Sequence, residues 1–388
     1  MYQSHYSKFL SANPKRLHFA AHSHHYWLDA TREAHLHYWD DAARLADKKW
    51  SYIFSDVLPK AQRHIARLID LSFPEQIAFA PNTHEFLVRL LSCIERSPIR
   101  ILTTDSEFYS FSRQISRLEE SGKVLVQRIP VEPFETFETR FINAVSQGDY
   151  DLVFFSHVFF NSGFVVERLE EIVSAVKSAE TLVVIDGYHS FCAIPFSMKP
   201  IESRAFYLSG GYKYAQAGEG VCFLCVPKGV PYRPMNTGWY AEFGSLANRK
   251  SNAVNYSDDG FRFFGATFDP SGLYRWNAVG DWLEAMHLSV AEIHAHVRAL
   301  QQCFLEKLSE ANLNFLTIQH LVPSVEIKSR GHFLTFDVPN AEAIESELLK
   351  RDVVIDRRGT RLRFGFGLYH TEANINSLFE RLTDCKLT

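Results

Sequence analysis

Short, continuous apolar runs recur over the first two-thirds of the chain, at residues 77–80, 101–103, 124–127, 152–155, 182–185 and 221–226. A further run begins at Ile201 and includes residues 205–208. Runs of this length, rich in Val, Ile, Leu and Phe, predict strands buried on both faces, as in parallel sheets. Helix-like stretches separate most of them, and that alternation predicts an α/β fold with a mostly parallel, doubly wound, seven-stranded sheet. Amphipathic patterns over residues 29–50 and 56–70 predict two helices ahead of the first strand, with Pro59 in the first turn of the second. One long helical pattern runs from Ser271 to about Glu306. After it, strand and helix patterns alternate at residues 332–338, 341–350, 353–355 and 361–364, which predicts a smaller α+β domain. The chain thus divides into an N-terminal segment (1–30), a large domain (31–270), and a bridging helix with a small C-terminal domain (271–388).

Composition narrows the class. A chain of 388 residues has room for two domains sharing a sizeable core. Its 41 basic and 45 acidic residues nearly balance, so neither nucleic acid nor an anionic membrane is an expected partner. No apolar run reaches the length of a membrane span, and residues 1–16 lack the apolar core of a signal peptide. Six scattered cysteines fit a reducing cytoplasm better than a disulfide framework. Cys222 and Cys225 form a C-x-x-C inside a predicted strand, where they point to opposite faces and make a poor redox or zinc pair. His22, His24 and His25 lie close together, but no cysteine or carboxylate set completes a metal site.

The chemistry concentrates in residues 182–220. The run at 182–185 stops at Asp186, with His189 three residues later, and the run at 205–208 gives way to Ser209-Gly210-Gly211-Tyr212-Lys213-Tyr214. Ligand sites in parallel sheets gather at the carboxyl edge of the strands. A lysine between two tyrosines and beside small residues is a candidate for a lowered pKa and a Schiff base. An aspartate at a strand tip suits a proton on a heterocyclic nitrogen. Asp-x-x-His followed by Tyr-Lys-Tyr-x-x-Ala-Gly-x-Gly resembles the kynureninase branch of the class V aminotransferase-like, pyridoxal-phosphate-dependent enzymes of fold type I. The resemblance implies pyridoxal 5′-phosphate as cofactor, joined to Lys213, with Asp186 on the pyridinium nitrogen and His189 near the phenolic oxygen. It places Ser209 and Tyr212 among the cofactor contacts.

Other candidates lie outside this segment. Pro81-Asn82-Thr83-His84-Glu85 turns directly from a strand into a helix, whose free N–H groups form an anion site. Asn82 or Thr83 is also a natural cap there. The resemblance puts the phosphate-binding turn at this point, on Asn82, Thr83 and His84. It also puts an aromatic ring, here Phe108, over the pyridine ring. Kynureninases carry an aspartate three residues beyond that phenylalanine, where this chain has Phe111, so one polar group is missing or relocated. Gly238-Trp239 matches a kynureninase pair, and Thr267 stands where relatives reach the phosphate of the neighbouring subunit, although Ala266 is inserted. Asp356-Arg357-Arg358, then Arg363 ahead of Leu368-Tyr369, match the pattern whose later arginine forks onto the substrate carboxylate. The N-terminal segment is expected to cross the active-site mouth, with His22 and His24 as substrate contacts and Asn161 as a further one.

These implications add up to a homodimer with shared active sites acting on a small amino acid, with cleavage at the β-position. The alternative is an aminotransferase that passes the amino group to an oxo acid. A cysteine desulfurase is disfavoured because no cysteine lies between Cys303 and Cys385, and a non-catalytic module because Lys213, Asp186 and Arg363 are all present.

Overall fold

The computed structural model describes residues 2–243 and 254–385. Seven strands form the main sheet in the order Ile77–Ala80, Cys222–Cys225, Ala205–Gly210, Leu182–Asp186, Leu152–Ser156, Ile99–Thr104 and Val124–Ile129. Cys222–Cys225 runs antiparallel to both of its neighbours, and every other pair is parallel. The reason is local: residues 211–221 contain no helix, and without a helical crossover the chain returns beside the strand it has just left. The central strands are buried on both faces, as their unbroken apolar sequences require.

Two sequence expectations need correction. The run from Ile201 is not strand until Ala205, because the Ile201 carbonyl closes a turn by accepting from Arg204 N–H and Ala205 N–H, both at 2.9 Å. The long helix from Ser271 is two helices, Ser271–Ala285 and Val290–Glu310. His287 takes a left-handed φ of 49° between them. Ser289 then starts the second with a capping box, its hydroxyl accepting from Glu292 N–H at 3.2 Å while the Glu292 carboxylate accepts from Ser289 N–H at 2.7 Å.

One apolar cluster surrounds the main sheet and takes in Trp276 and Leu283 from the first of these helices. A second is built from Phe304, Leu334, Phe336, Phe364 and Leu378 around a four-stranded antiparallel sheet. That sheet runs in the order Asp356–Arg358, Arg361–Gly365, Phe333–Asp337, Leu321–Val322. The N-terminal segment belongs to both. Leu17–His18 pairs in parallel with Val353–Val354, Phe19 enters the second cluster, and Ala21 and Tyr26 enter the first. The chain therefore passes the junction of the two clusters at residues 20–26, where the site lies. No described helix is long and apolar enough to cross a membrane.

Candidate active site

The carboxyl edge of the main sheet opens into a cavity of about 200 Å³. Asp186 and Ser156 end their strands on it, and His189, Tyr212 and Lys213 reach it from the loops that follow. Asn82, Thr83 and His84 line it from the helix Thr83–Leu91, and Phe108 from the start of Tyr109–Glu120. The fold thus brings eight of the residues singled out in the sequence into one cavity.

Lys213 is buried, and its Nζ lies 2.7 Å from His189 Nε2. Burial brings the amine down to about 7; Asp186 opposes this, while Arg363 and Arg358 add to it. Burial, then the charge of Lys213, also holds His189 well below the usual imidazole range, so the ring is neutral. Asp186 accepts from Tyr188 N–H at 2.9 Å. Burial raises its pKa, against the pull of that hydrogen bond and of Lys213. The Phe108 ring centroid stands 5.4 Å from Lys213 Nζ. Asn82 caps the helix across the cavity by accepting from Glu85 N–H at 3.1 Å.

Four candidates stand elsewhere. Ser209 is fully buried and donates to Gly187 O at 3.2 Å, supporting the turn after Asp186 rather than lining the cavity. Asn161 donates to Ser106 Oγ at 3.2 Å and is not on the cavity wall. Thr267 is exposed and hydrogen-bonds the Tyr240 side chain. His24 is exposed too, its ring 5.4 Å from that of Tyr212.

His22 and Arg363 form a second group. His22 is fully buried, stacks on Phe333 at 4.6 Å, and lies 6.4 Å from the His189 ring. Arg363 is buried, and its fork is already filled: Nη1 donates to Phe160 O and Nη2 pairs with the Asp356 carboxylate. Asp356 also lies 3.5 Å from Arg358 and 3.6 Å from His22. Both nitrogens of His22, Nδ1 of His189 and Nε of Arg363 are buried without a hydrogen-bond partner.

The sequence reading missed Ser156, Tyr188 and Glu107, and did not foresee Asp356 in the arginine fork. The last had a signal. Gly359, at φ 59°, closes a tight hairpin between Asp356–Arg358 and Arg361–Gly365, and that register sets Asp356 opposite Arg363. Among the described residues no group of three or more His, Cys, Asp or Glu side chains comes together as a metal site.

Solved structures with the same fold include the cystine C–S lyase C-DES with its product cysteine persulfide. The two share 18% identity at a TM-score of 0.76, over 95% of this chain and 97% of that one. A lysine-to-alanine variant of C-DES with glycine covalently linked to its pyridoxal-phosphate cofactor matches at 16% and 0.78, over 98% and 99%. The cysteine desulfurase CsdA from Escherichia coli matches at 13% and 0.78, over 98% of each chain. At such identities the likeness speaks for the fold, and it lends the kynureninase branch no support. No curated protein matches the chain in sequence. The model of the class-V aminotransferases matches residues 21–378, so the chain belongs to that family, whose cofactor is pyridoxal 5′-phosphate.

Proposed function

We propose that this protein acts on an amino acid through Lys213 and cleaves it at the β-position. The observation that carries the reading is the buried Lys213 amine, brought to about 7 and held 2.7 Å from His189 Nε2 in a cavity that Asp186 also lines. The donor set fits pyridoxal 5′-phosphate: an amine for its aldehyde carbon, a carboxylate for its ring nitrogen, an aromatic face, and a helix start for its phosphate. The partnerless Nδ1 of His189 and the nitrogens of His22 are further polar atoms left for a ligand. Bound there, the cofactor supplies an electron sink for bonds broken at the substrate's α- and β-carbons.

The protein's own residues divide the remaining work. Lys213 Nζ, uncharged in a large fraction of molecules at neutral pH, takes the α-proton and returns it. His189, a neutral ring beside it, orients the amine. Asp186 holds a proton at the ring nitrogen, its position set by Tyr188 N–H. Arg363 anchors the α-carboxylate by exchanging Asp356, which then turns to Arg358 and His22, already 3.5 and 3.6 Å away. Phe108, Phe160 and Val158 keep this wall of the cavity apolar and limit water.

Cleavage at the β-position is supported by the sequence motif and by the C–S bond chemistry in the name of C-DES. A cysteine nucleophile has no place in it, since none of the six cysteines lines the cavity. Cys222, behind it, has a thiol that burial pushes up to about 12. The test is a single turnover of purified holoenzyme without oxo acid, over a panel of amino acids. Release of alanine, or of a side-chain fragment, supports cleavage. Formation of one equivalent of oxo acid, with further turnover only after a second oxo acid is added, would assign the protein to transamination.

A further inference from the structure

Lys213 stands on a turn that the N-terminal segment holds from outside. Both carbonyls that flank its Cα are engaged: Tyr212 O accepts from His25 N–H at 3.2 Å, and Lys213 O accepts from Gln216 N–H at 2.9 Å. Gln216 closes that turn at a φ of 58°, a left-handed value uncommon for such a side chain. A conformation of this kind persists where surrounding contacts over-determine it. Gln216 is 2% exposed, and its amide oxygen accepts from the Tyr6 hydroxyl, 210 residues away in the chain. Tyr6 is itself fully buried, and its own place is fixed from both sides. Gln3 Nε2 donates to Tyr369 O at 3.0 Å, and the Tyr6 ring meets that of Tyr369 edge-on at 5.4 Å. On the other side the Asp29 carboxylate accepts from Ser7 N–H and Lys8 N–H, each at 2.9 Å.

The rest of the loop has a separate anchor. Arg275 donates through Nε to Ala217 O at 2.6 Å and through Nη2 to Glu219 O. Trp27 covers Gly218, where an added Cβ would come within 2.5 Å of the indole. Residues 217–219 are thereby tied to Trp27 and to the helix Ser271–Ala285, whereas the half that carries Lys213 leans on Tyr6 and His25. A lysine stem is flexible, so the 2.7 Å contact between its amine and His189 Nε2 lasts only while the backbone beneath it stays in one place. We propose that Tyr6 is a positioning residue: through Gln216 it fixes the turn that aims the Lys213 amine at His189 and the cofactor cavity. The proposal rests on the reading of this cavity as the cofactor site. Tyr6 lies ahead of residues 21–378, so this support comes from outside the stretch that the family model covers.

The experiment compares the wild type with Tyr6→Phe and with the double variant Tyr6→Phe, Gln216→Met. Apoprotein is read by thermal melting and by amide hydrogen exchange over residues 211–217. Holoprotein is read by its affinity for pyridoxal phosphate and by the visible circular dichroism of the bound cofactor, which reports how firmly the ring is oriented. Tyr6→Phe keeps the aromatic ring and strands the Gln216 oxygen, so it should melt at a lower temperature and exchange faster at 211–217. It should also bind cofactor about three- to tenfold more weakly, the value of one hydrogen bond, with a smaller dichroic band. In the double variant two apolar groups of nearly the original shape replace the buried pair, so the melting temperature should recover. The directional tie is still missing there, so the fast exchange and the weak binding should remain. Recovery of affinity along with the melting temperature would overturn the inference, because packing alone would then hold the turn. A folded Tyr6→Phe protein with wild-type affinity and dichroism overturns it as well. Should Tyr6→Phe fail to fold, the double variant decides alone: weakened binding upholds the proposal and unchanged binding ends it. If the wild type itself binds no cofactor, the failure lies with the reading of the cavity, and unchanged exchange at 211–217 in the variants would still refute the role of Tyr6.

Discussion

The two ends of the site are built on opposite plans. At the main sheet, Asp186 ends a strand, His189 and Lys213 follow strand ends, and the cavity they share holds open groups: an amine near neutrality, a ring nitrogen without a partner, and the start of the helix Thr83–Leu91. At the small sheet, the charged groups are closed upon one another, with Asp356 serving Arg363 and Arg358 together. Open groups await a ligand directly. Closed groups must exchange an internal partner for an external one, so binding there is a difference between two ion pairs rather than the gain of one. Desolvation acts at both ends: it lowers Lys213 to about 7 and Arg363 to about 10.

The most damaging test of the open end is Lys213→Ala. Borohydride reduction of the wild-type holoprotein should place the pyridoxyl label on the peptide containing Lys213, and the variant should take up none. Label on another lysine would dismantle the comparison at its root.

The closed end predicts effects of opposite sign. Arg363→Lys should weaken amino-acid binding about ten- to a hundredfold while sparing the cofactor absorbance, because lysine lacks the two-point fork. Asp356→Asn removes the internal competitor, so it should tighten binding of a simple amino acid while lowering the protein's own stability by about 1–3 kcal/mol, as Arg363 is left buried without its counter-charge. Calorimetric titration and thermal melting read the two. Looser binding in both variants would show that Asp356 assists the substrate instead of yielding to it.

The uneven legibility of the two ends has a physical cause. Strand-end groups sit beside their own apolar run, so 182–186 and 205–213 announce both the strand and the chemistry within one segment. The two-helix break at 286–289 was less visible, because the helical period continues across it and only Ser289 and Glu292 mark the restart. Contacts that join separate segments leave no local trace. Glu107 meets Ser156 across two strands 49 residues apart, and either one alone reads as an ordinary polar loop or strand terminus. The antiparallel place of Cys222–Cys225 is of the same kind, set by a connection and not by the strand's own residues.

A milder prediction extends the open end to a second subunit. Thr267 is exposed in this chain and hydrogen-bonds the Tyr240 side chain, while Trp239 and Met235 are also exposed, at 47% and 73%. Completion of the phosphate site by a partner copy would cover them. Sedimentation of the holoprotein should give a dimer, and Thr267→Ala should weaken cofactor binding about three- to tenfold. A monomer that holds the cofactor at full affinity would close the site within one chain.

The smallest expected effect separates the two titrating groups of the open end by sign. Glu107 is raised to about 8 from an ordinary value near 4.5, so between those values the native state holds a proton that the unfolded chain releases. Its contribution to stability is complete below pH 4.5 and is lost as pH rises through 8. Lys213 is lowered to about 7 from 10.5, so the unfolded chain is the one holding more protons, and stability rises with pH across that window. In apoprotein the two trends oppose each other around neutrality and meet between pH 7 and 8. Glu107→Gln removes only the first. The difference in melting temperature, wild type minus variant, should therefore fall as pH goes from 5 to 8, by about one to four degrees for each kcal/mol of proton linkage. Lys213→Met, which removes the second trend, should flatten the rise above pH 7 and leave the fall below it. A wild-type-minus-Gln difference that does not change with pH would mean that Glu107 is ionised throughout, its hydrogen bonds from Thr104 Oγ, Ser156 N–H and Ser156 Oγ outweighing its burial.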